Sequence, residues 1–206
     1  MPDGNSLVDN EPDLTDPSFV AGATDIEASN GIIQAIDRVL IPLDFLVNEP
    51  TIAEIVALSG GDFDNNDQDF DILFNALETT DLIGAVNNPT ASLTVFAPTD
   101  AAFVRLAQDL GFRGVDEAGA FDAIANALTE LGGGDPIPLL TDILLYHVSP
   151  DSRCQAQLQA DGSVETLLTD ASFTVEGSTL VDNEPDLLNP NFEEGIADIE
   201  AANGII

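Results

Sequence analysis

The densest run of chemically capable side chains in this sequence is acidic. Residues 60–71 read GGDFDNNDQDFD and bring Asp62, Asp64, Asn66, Asp67, Asp69 and Asp71 close together along the chain. Hard oxygen donors at alternating positions suit calcium, which takes six to eight of them. The run resembles the front of an EF-hand loop but departs from it twice. The sixth position is Asp67 where that loop needs glycine, and the twelfth is Leu73 where it needs glutamate. The expectation is a calcium site in this loop, set against a plain solvated acidic loop. The two Asp-Asn-Glu-Pro-Asp stretches at 9–13 and 182–186 are weaker candidates of the same kind.

The remaining reactive residues do not assemble a catalyst. His147 is the one histidine, next to Tyr146, and nothing nearby in sequence supplies a nucleophile or a carboxylate of catalytic type. It reads as a buried, hydrogen-bonded histidine. Asp100 follows Thr99 at a helix start, where a carboxylate complements the helix dipole without further role. One histidine and one cysteine, Cys154, cannot build the usual zinc cage. Gly132-Gly133-Gly134 has no following Lys-Ser/Thr, so it is a helix stop and not a phosphate loop. Cys154 lies beside Arg153, which lowers thiol pKa where the two are close, or it pairs between molecules; an incidental residue is the plainer reading. No enzyme is expected.

Charge narrows the partners. Thirty-eight acidic residues face four arginines and no lysine, for a formal net charge of −34. Such a chain lacks the basic face that nucleic acid requires, and an anionic membrane repels it. With 44% hydrophobic residues it is nevertheless no disordered acidic tail. The balance suits seawater, a salt-loving (halophilic) host or abundant calcium. No apolar run approaches the ~18 residues of a membrane helix, so membrane insertion is not expected. The start, Met1-Pro2-Asp3-Gly4, has neither region of a signal peptide, so an export signal is expected to lie outside this sequence.

Elements that would position these groups are legible from pattern. Thr51-Ile52-Ala53-Glu54 is a capping box opening a helix to about Leu58. Asp69 is placed to cap a helix whose Phe70, Leu73, Phe74 and Leu77 share a face. Leu93–Phe96 is β-rich and ends at Pro98. Thr99 then opens a helix with Phe103 and Leu106 inward, and Asp116 opens another over Phe121, Ile124 and Leu128. Ile137–Val148 is a further amphipathic run. Short strands follow at Val164–Leu168, Ser172–Glu176, Thr179–Val181 and Ile196–Ala201. Helices first and strands afterwards indicate an α+β fold.

The chain also repeats itself. LVDNEPDL occurs at 7–14 and again at 180–187. Asp25-Ile26-Glu27-Ala28 recurs as Asp198-Ile199-Glu200-Ala201, and Asn30-Gly31-Ile32-Ile33 recurs as Asn203-Gly204-Ile205-Ile206. Asn-Gly is a strong hairpin turn. Only the first copy runs on, through Ile36, Val39, Leu40 and Ile41 to Pro42. The reading is a duplicated tail segment over 1–42, a linker over 43–50 and a domain over 51–206 lacking its last strand. Ile32, Ile33, Ile36, Val39, Leu40 and Ile41 form a strand that could complete it, in cis or in trans, because an open sheet edge recruits strands.

These residues resemble a fasciclin (FAS1) domain of an acidic bacterial or archaeal type, from a tandem-repeat surface protein. Thr94-Val95-Phe96-Ala97-Pro98-Thr99-Asp100-Ala101-Ala102-Phe103 matches the family's first signature, Leu145-Tyr146-His147-Val148 the second, and the segment from Asp198 to Ile206 the closing hairpin. The resemblance covers Thr51–Ile206. It implies a β-wedge or sandwich with packed helices, a structural Tyr146–His147 pair, and packing and capping roles for Thr94, Phe96, Pro98, Thr99, Asp100 and Phe103. It implies extracellular or cell-surface adhesion to a matrix or surface protein or a glycan. The alternative expectation is a fibre of identical chains, each donating strand 32–41 to the next, head to tail and without closure, with calcium or salt muting their repulsion.

Overall fold

The computed structural model describes Leu7 and residues 15–40, 49–59, 61–185, 187–193 and 195–206. Two compact units divide the chain, Met1–Asn48 and Glu49–Ile206.

In the first unit, Asn30 and Gly31 turn strand β1 (Ile26–Ala28) into β2 (Gly31–Ile33), pairing Ile26 with Ile33 and Ala28 with Gly31. The long return strand expected over 32–41 is short. Ile36 makes an isolated bridge with Phe19, Val39 and Leu40 are exposed coil, and Ile41 lies outside the described residues. The physical reason is that, among the described residues, β2 pairs with β1 alone, and a two-stranded ribbon gains little by extending. Residues 18–25 close its end: Val20 N donates to Ala35 O and Asp37 N to Ser18 O, both at 2.9 Å, while Gln34 Nε2 donates to Asp25 and Ser18 N to the Asp37 carboxylate.

The second unit begins with helices α1 (Ile52–Ser59), α2 (Asp71–Thr79) and α3 (Ile83–Val86). The Thr51–Glu54 capping box forms, with Thr51 N donating to Glu54 at 2.9 Å and Glu54 N to Thr51 Oγ1 at 3.3 Å. Strand β3 (Leu93–Val95) leads into α4 (Asp100–Asp109), α5 (Glu117–Leu131) and α6 (Ile137–Tyr146). Asp116 caps α5 by accepting from Gly119 N at 2.8 Å. The amphipathic run expected to reach Val148 stops at Tyr146, because Val148–Pro150 becomes strand β4 and pairs antiparallel with β3. Helix α7 (Gln155–Asp161), which the strand reading missed, precedes β5 (Ser163–Glu165), β6 (Ser172–Glu176) and β7 (Thr179–Val181). The second hairpin, β8 (Glu200–Ala201) and β9 (Gly204–Ile205), closes the described chain.

Two sheets result in this unit, β4-β3-β9-β8 and β5-β6-β7. β9 runs parallel to β3 and lies between it and β8. The main core joins the helices to β3 and β4 through Ile52, Ile72, Phe103, Ile124, Leu140 and Val148, among others. A smaller core of Leu158, Val164, Phe173, Val175 and Leu180 lies under the second sheet, with Phe96 and Tyr146 packed against it.

Candidate functional site

The signature strand serves the fold. Thr94 is buried; its hydroxyl donates to Asp151 O at 2.7 Å and accepts from Arg153 N at 2.9 Å. Phe96 packs edge-on against Phe173 at 5.0 Å, and its N–H donates to His147 O. Pro98 precedes α4, and Thr99 is its N-cap residue without a side-chain cap bond. Phe103 is buried in the main core. Tyr146 donates its hydroxyl to Ser172 O and meets Phe173 at 5.8 Å. His147 Nδ1–H donates to Ile143 O at 2.8 Å, which fixes the tautomer. Burial holds this imidazole below the usual histidine range. Cys154 is a free thiol whose backbone N–H donates to Gln157.

Asp100 does more than complement its own helix. Its carboxylate reaches α2, accepting from Asp71 N at 3.0 Å and Ile72 N at 2.9 Å. It thereby caps α2, the role expected of Asp69, while the residue before α2 offers no side-chain cap. The acidic loop is tied to the same place: Asp100 N donates to Asp69 O and Ala101 N to Asp67 O.

The result is a nest of carboxylates where three helices begin. Asp71, Asp100 and Glu117 are the first residues of α2, α4 and α5, and all three are buried. One oxygen from each of Asp69, Asp100 and Glu117 lies within 4.8 Å of the others, and the same holds for Asp64, Asp69 and Asp71. Asp71 accepts from Gly61 N and Asp64 N, Glu117 Oε2 from Asn65 N at 2.9 Å, and Asp69 Oδ2 from Asn66 Nδ2 at 2.9 Å. Among the described residues, none donates to the buried Asp69 Oδ1 or Glu117 Oε1. The pairs Arg38–Asp37 and Arg153–Asp161 form elsewhere. Burial pushes the Asp100 carboxyl up to about 8, helped by the Asp69 carboxyl beside it. Burial likewise raises Glu117, and Asp71, Asp69 and Asp64 add to the rise.

Of the six loop residues singled out in the sequence, the structure therefore brings together Asp64, Asp69 and Asp71. Asn66 supports Asp69, and Asp62 and Asp67 are exposed and outside the cluster. Glu117 went unnoticed, yet its phase was readable: it lies three, seven and eleven residues before the buried Ala120, Ile124 and Leu128.

The family model of the fasciclin domain matches residues 68–206, which include both signature segments and the second hairpin. The chain belongs to the fasciclin family. An uncharacterized protein of Synechocystis sp. is 31% identical to this fasciclin chain over 158 residues, 76% of this chain and 92% of that one. Among solved structures, the FAS1 domain pair of the insect cell adhesion molecule fasciclin I aligns with 93% of this chain and 57% of its own, at 17% identity and a TM-score of 0.48. Fasciclin domains are generally associated with adhesion at extracellular or surface locations and are generally not enzymes. No described helix is long and apolar enough to cross a membrane.

Proposed function

We propose that this chain is a non-catalytic adhesion module of the fasciclin type, working outside the cell or at its surface against a matrix protein, surface protein or glycan. The observation that carries this reading is where the signature residues point. Thr94, Phe96, Asp100, Phe103, Tyr146 and His147 are spent on packing, capping and backbone bonds. Recognition then falls to the outer surface, which holds most of a net charge of −34. Beads coated with the chain should adhere to cells or matrix better than beads coated with an unrelated protein of equal negative charge. Equal adhesion would end the reading.

One observation favours a second reading, self-assembly. Hairpin β1–β2 repeats the residues of β8–β9, yet is fully exposed, with Ile32 at 63% and Ile33 at 55%. It is suited to occupy, on another copy, the place β8–β9 occupies beside β3. Gly31 makes the test clean. A Cβ added there meets nothing within 4 Å, whereas one on Gly204 would strike the Leu93 backbone. If chains exchange this hairpin, the assemblies seen by light scattering shrink to the 21.6 kDa monomer in Gly31→Ala. Assemblies of unchanged mass in that variant would sink the idea.

A further inference from the structure

We propose that Asp64, Asp69, Asp71, Asp100 and Glu117 form a calcium site, closed on the buried side by α4 and α5 and open to water through Asp64. The site is not the linear loop suggested by sequence spacing, because two of its ligands come from helices beyond that loop. It is independent of the adhesion reading.

Two buried oxygens point to a ligand. Asp69 is 5% exposed and Glu117 2%, and with the carboxylates charged each leaves one oxygen, Oδ1 and Oε1, without a donor among the described residues. Native proteins rarely leave such atoms unmet. The carboxylates crowd one another, so each negative charge placed there is opposed by burial and by its neighbours. The helix N-termini offset part of this, at roughly half a charge each. The backbone donors occupy the other oxygens or single lone pairs: two N–H groups on Asp100, two on Asp71, one on Glu117. Each carboxylate oxygen keeps a second lone pair for a cation.

The chemistry selects calcium. All the donors are carboxylate oxygens, with no sulfur or imidazole, which excludes a preference for zinc or copper. Oxygens gathered within 4.8 Å of one another have room to share one ion at the ~2.4 Å calcium distance. Magnesium needs ~2.1 Å and a strict octahedron, which ligands gathered from a loop and two helices do not readily offer. Occupancy would tie the loop to the starts of α2, α4 and α5.

The experiment uses the full chain, stripped of metal, in buffer with enough salt to mute diffuse cation binding. Calcium is titrated by calorimetry, and Tm is read with and without it. Wild type should bind one calcium per chain and gain about 5 °C or more near saturation. Glu117→Gln keeps the acceptor for Asn65 N, and it and Asp69→Asn should each weaken calcium binding at least about tenfold and lose the Tm gain. Their metal-free Tm should match or exceed that of wild type, since each removes repulsion. Asp62→Asn with Asp67→Asn should bind as wild type does. Three results would overturn the proposal: no calcium effect on wild type, an undiminished effect in both ligand variants, or an equal effect of magnesium.

Discussion

The same hairpin occurs twice in this molecule, in two surroundings. In β1–β2, Ile26 pairs with Ile33, Glu27 with Ile32 and Ala28 with Gly31. In β8–β9, Glu200 pairs with Ile205 and Ala201 with Gly204, while Ile199 and Ile206 exchange both backbone bonds. The register is identical, and both copies open on an aspartate at positive φ, Asp25 and Asp198. Likeness extends upstream: Leu7 N donates to Pro17 O at 2.7 Å, and Leu180 N to Pro190 O at 2.8 Å. Yet Asn30 is exposed and Asn203 is 1% exposed. Local sequence sets turn and register, as expected where Asn-Gly dictates the connection. Burial is decided by what lies alongside, which for β9 is β3.

Asn203 should separate the two copies most sharply. Its Oδ1 accepts from Ile52 N at 2.8 Å, and its Nδ2 donates to Val86 O at 2.8 Å and Asn88 O at 3.2 Å. One side chain thus joins the start of α1, the end of α3 and the turn of the second hairpin. Asn203→Ala strands buried groups that each cost about 1–3 kcal/mol unpaired. A loss of at least about 3 kcal/mol, or roughly 10 °C in Tm, is expected by denaturant and thermal melts. Asn30→Ala should stay within about 0.5 kcal/mol of wild type. Equal effects at the two positions would mean the asparagines serve only their turns.

What the sequence disclosed follows the same division between local and distant causes. The capping box at Thr51, strands β6 and β7, the Asn-Gly turns and the cap at Asp116 are short-range events. Each was readable from a few neighbouring residues. Helix α7 was not, since Gln155–Asp161 has one buried residue, Leu158, and so no apolar period. Strand β4 was hidden at the end of an amphipathic helix because its partner, β3, lies more than fifty residues earlier. The carboxylate nest was half legible: the loop supplied its aspartates, but Asp100 and Glu117 join only when α4 and α5 pack.

Gly204 and Gly31 give the next largest contrast. An alanine Cβ at 204 would lie 2.8 Å from Leu93 C and 3.0 Å from Leu93 N, so β3 and β9 would have to part. Forced overpacking of this kind costs about 1–3 kcal/mol. At Gly31 the space is open, and Gly31→Ala should change chain stability by no more than about 0.5 kcal/mol. Denaturant midpoints of the two variants test this. A severe loss at Gly31 would show that the first hairpin is docked in solution.

The smallest effect expected concerns the support behind the docked hairpin. β3 carries β9 on one side and continues to Phe96, whose N–H is held by His147 O. Burial keeps His147 below its ordinary range, so the folded state disfavours its proton. The unfolded chain takes that proton near pH 6.5 and the folded chain only at lower pH. Between those points the unfolded state binds more protons, and stability falls as pH falls, by up to about 1.4 kcal/mol per unit. Asp100 and Glu117 act in the opposite sense, since their raised values make the folded state the better proton acceptor. The pH profile of wild type alone therefore mixes two slopes. His147→Gln keeps an N–H for Ile143 O and leaves the carboxylates in place. The difference in unfolding free energy, wild type minus variant, should fall steadily between pH 7 and pH 5. Protection factors at Ile199 and Ile206, taken against the intrinsic exchange rate at each pH, should fall over that range in wild type more than in the variant, while Ile26 and Ile33 stay weakly protected in both. A pH-independent difference would mean that His147 keeps its charge state on folding, and that its contribution to β3 is packing alone.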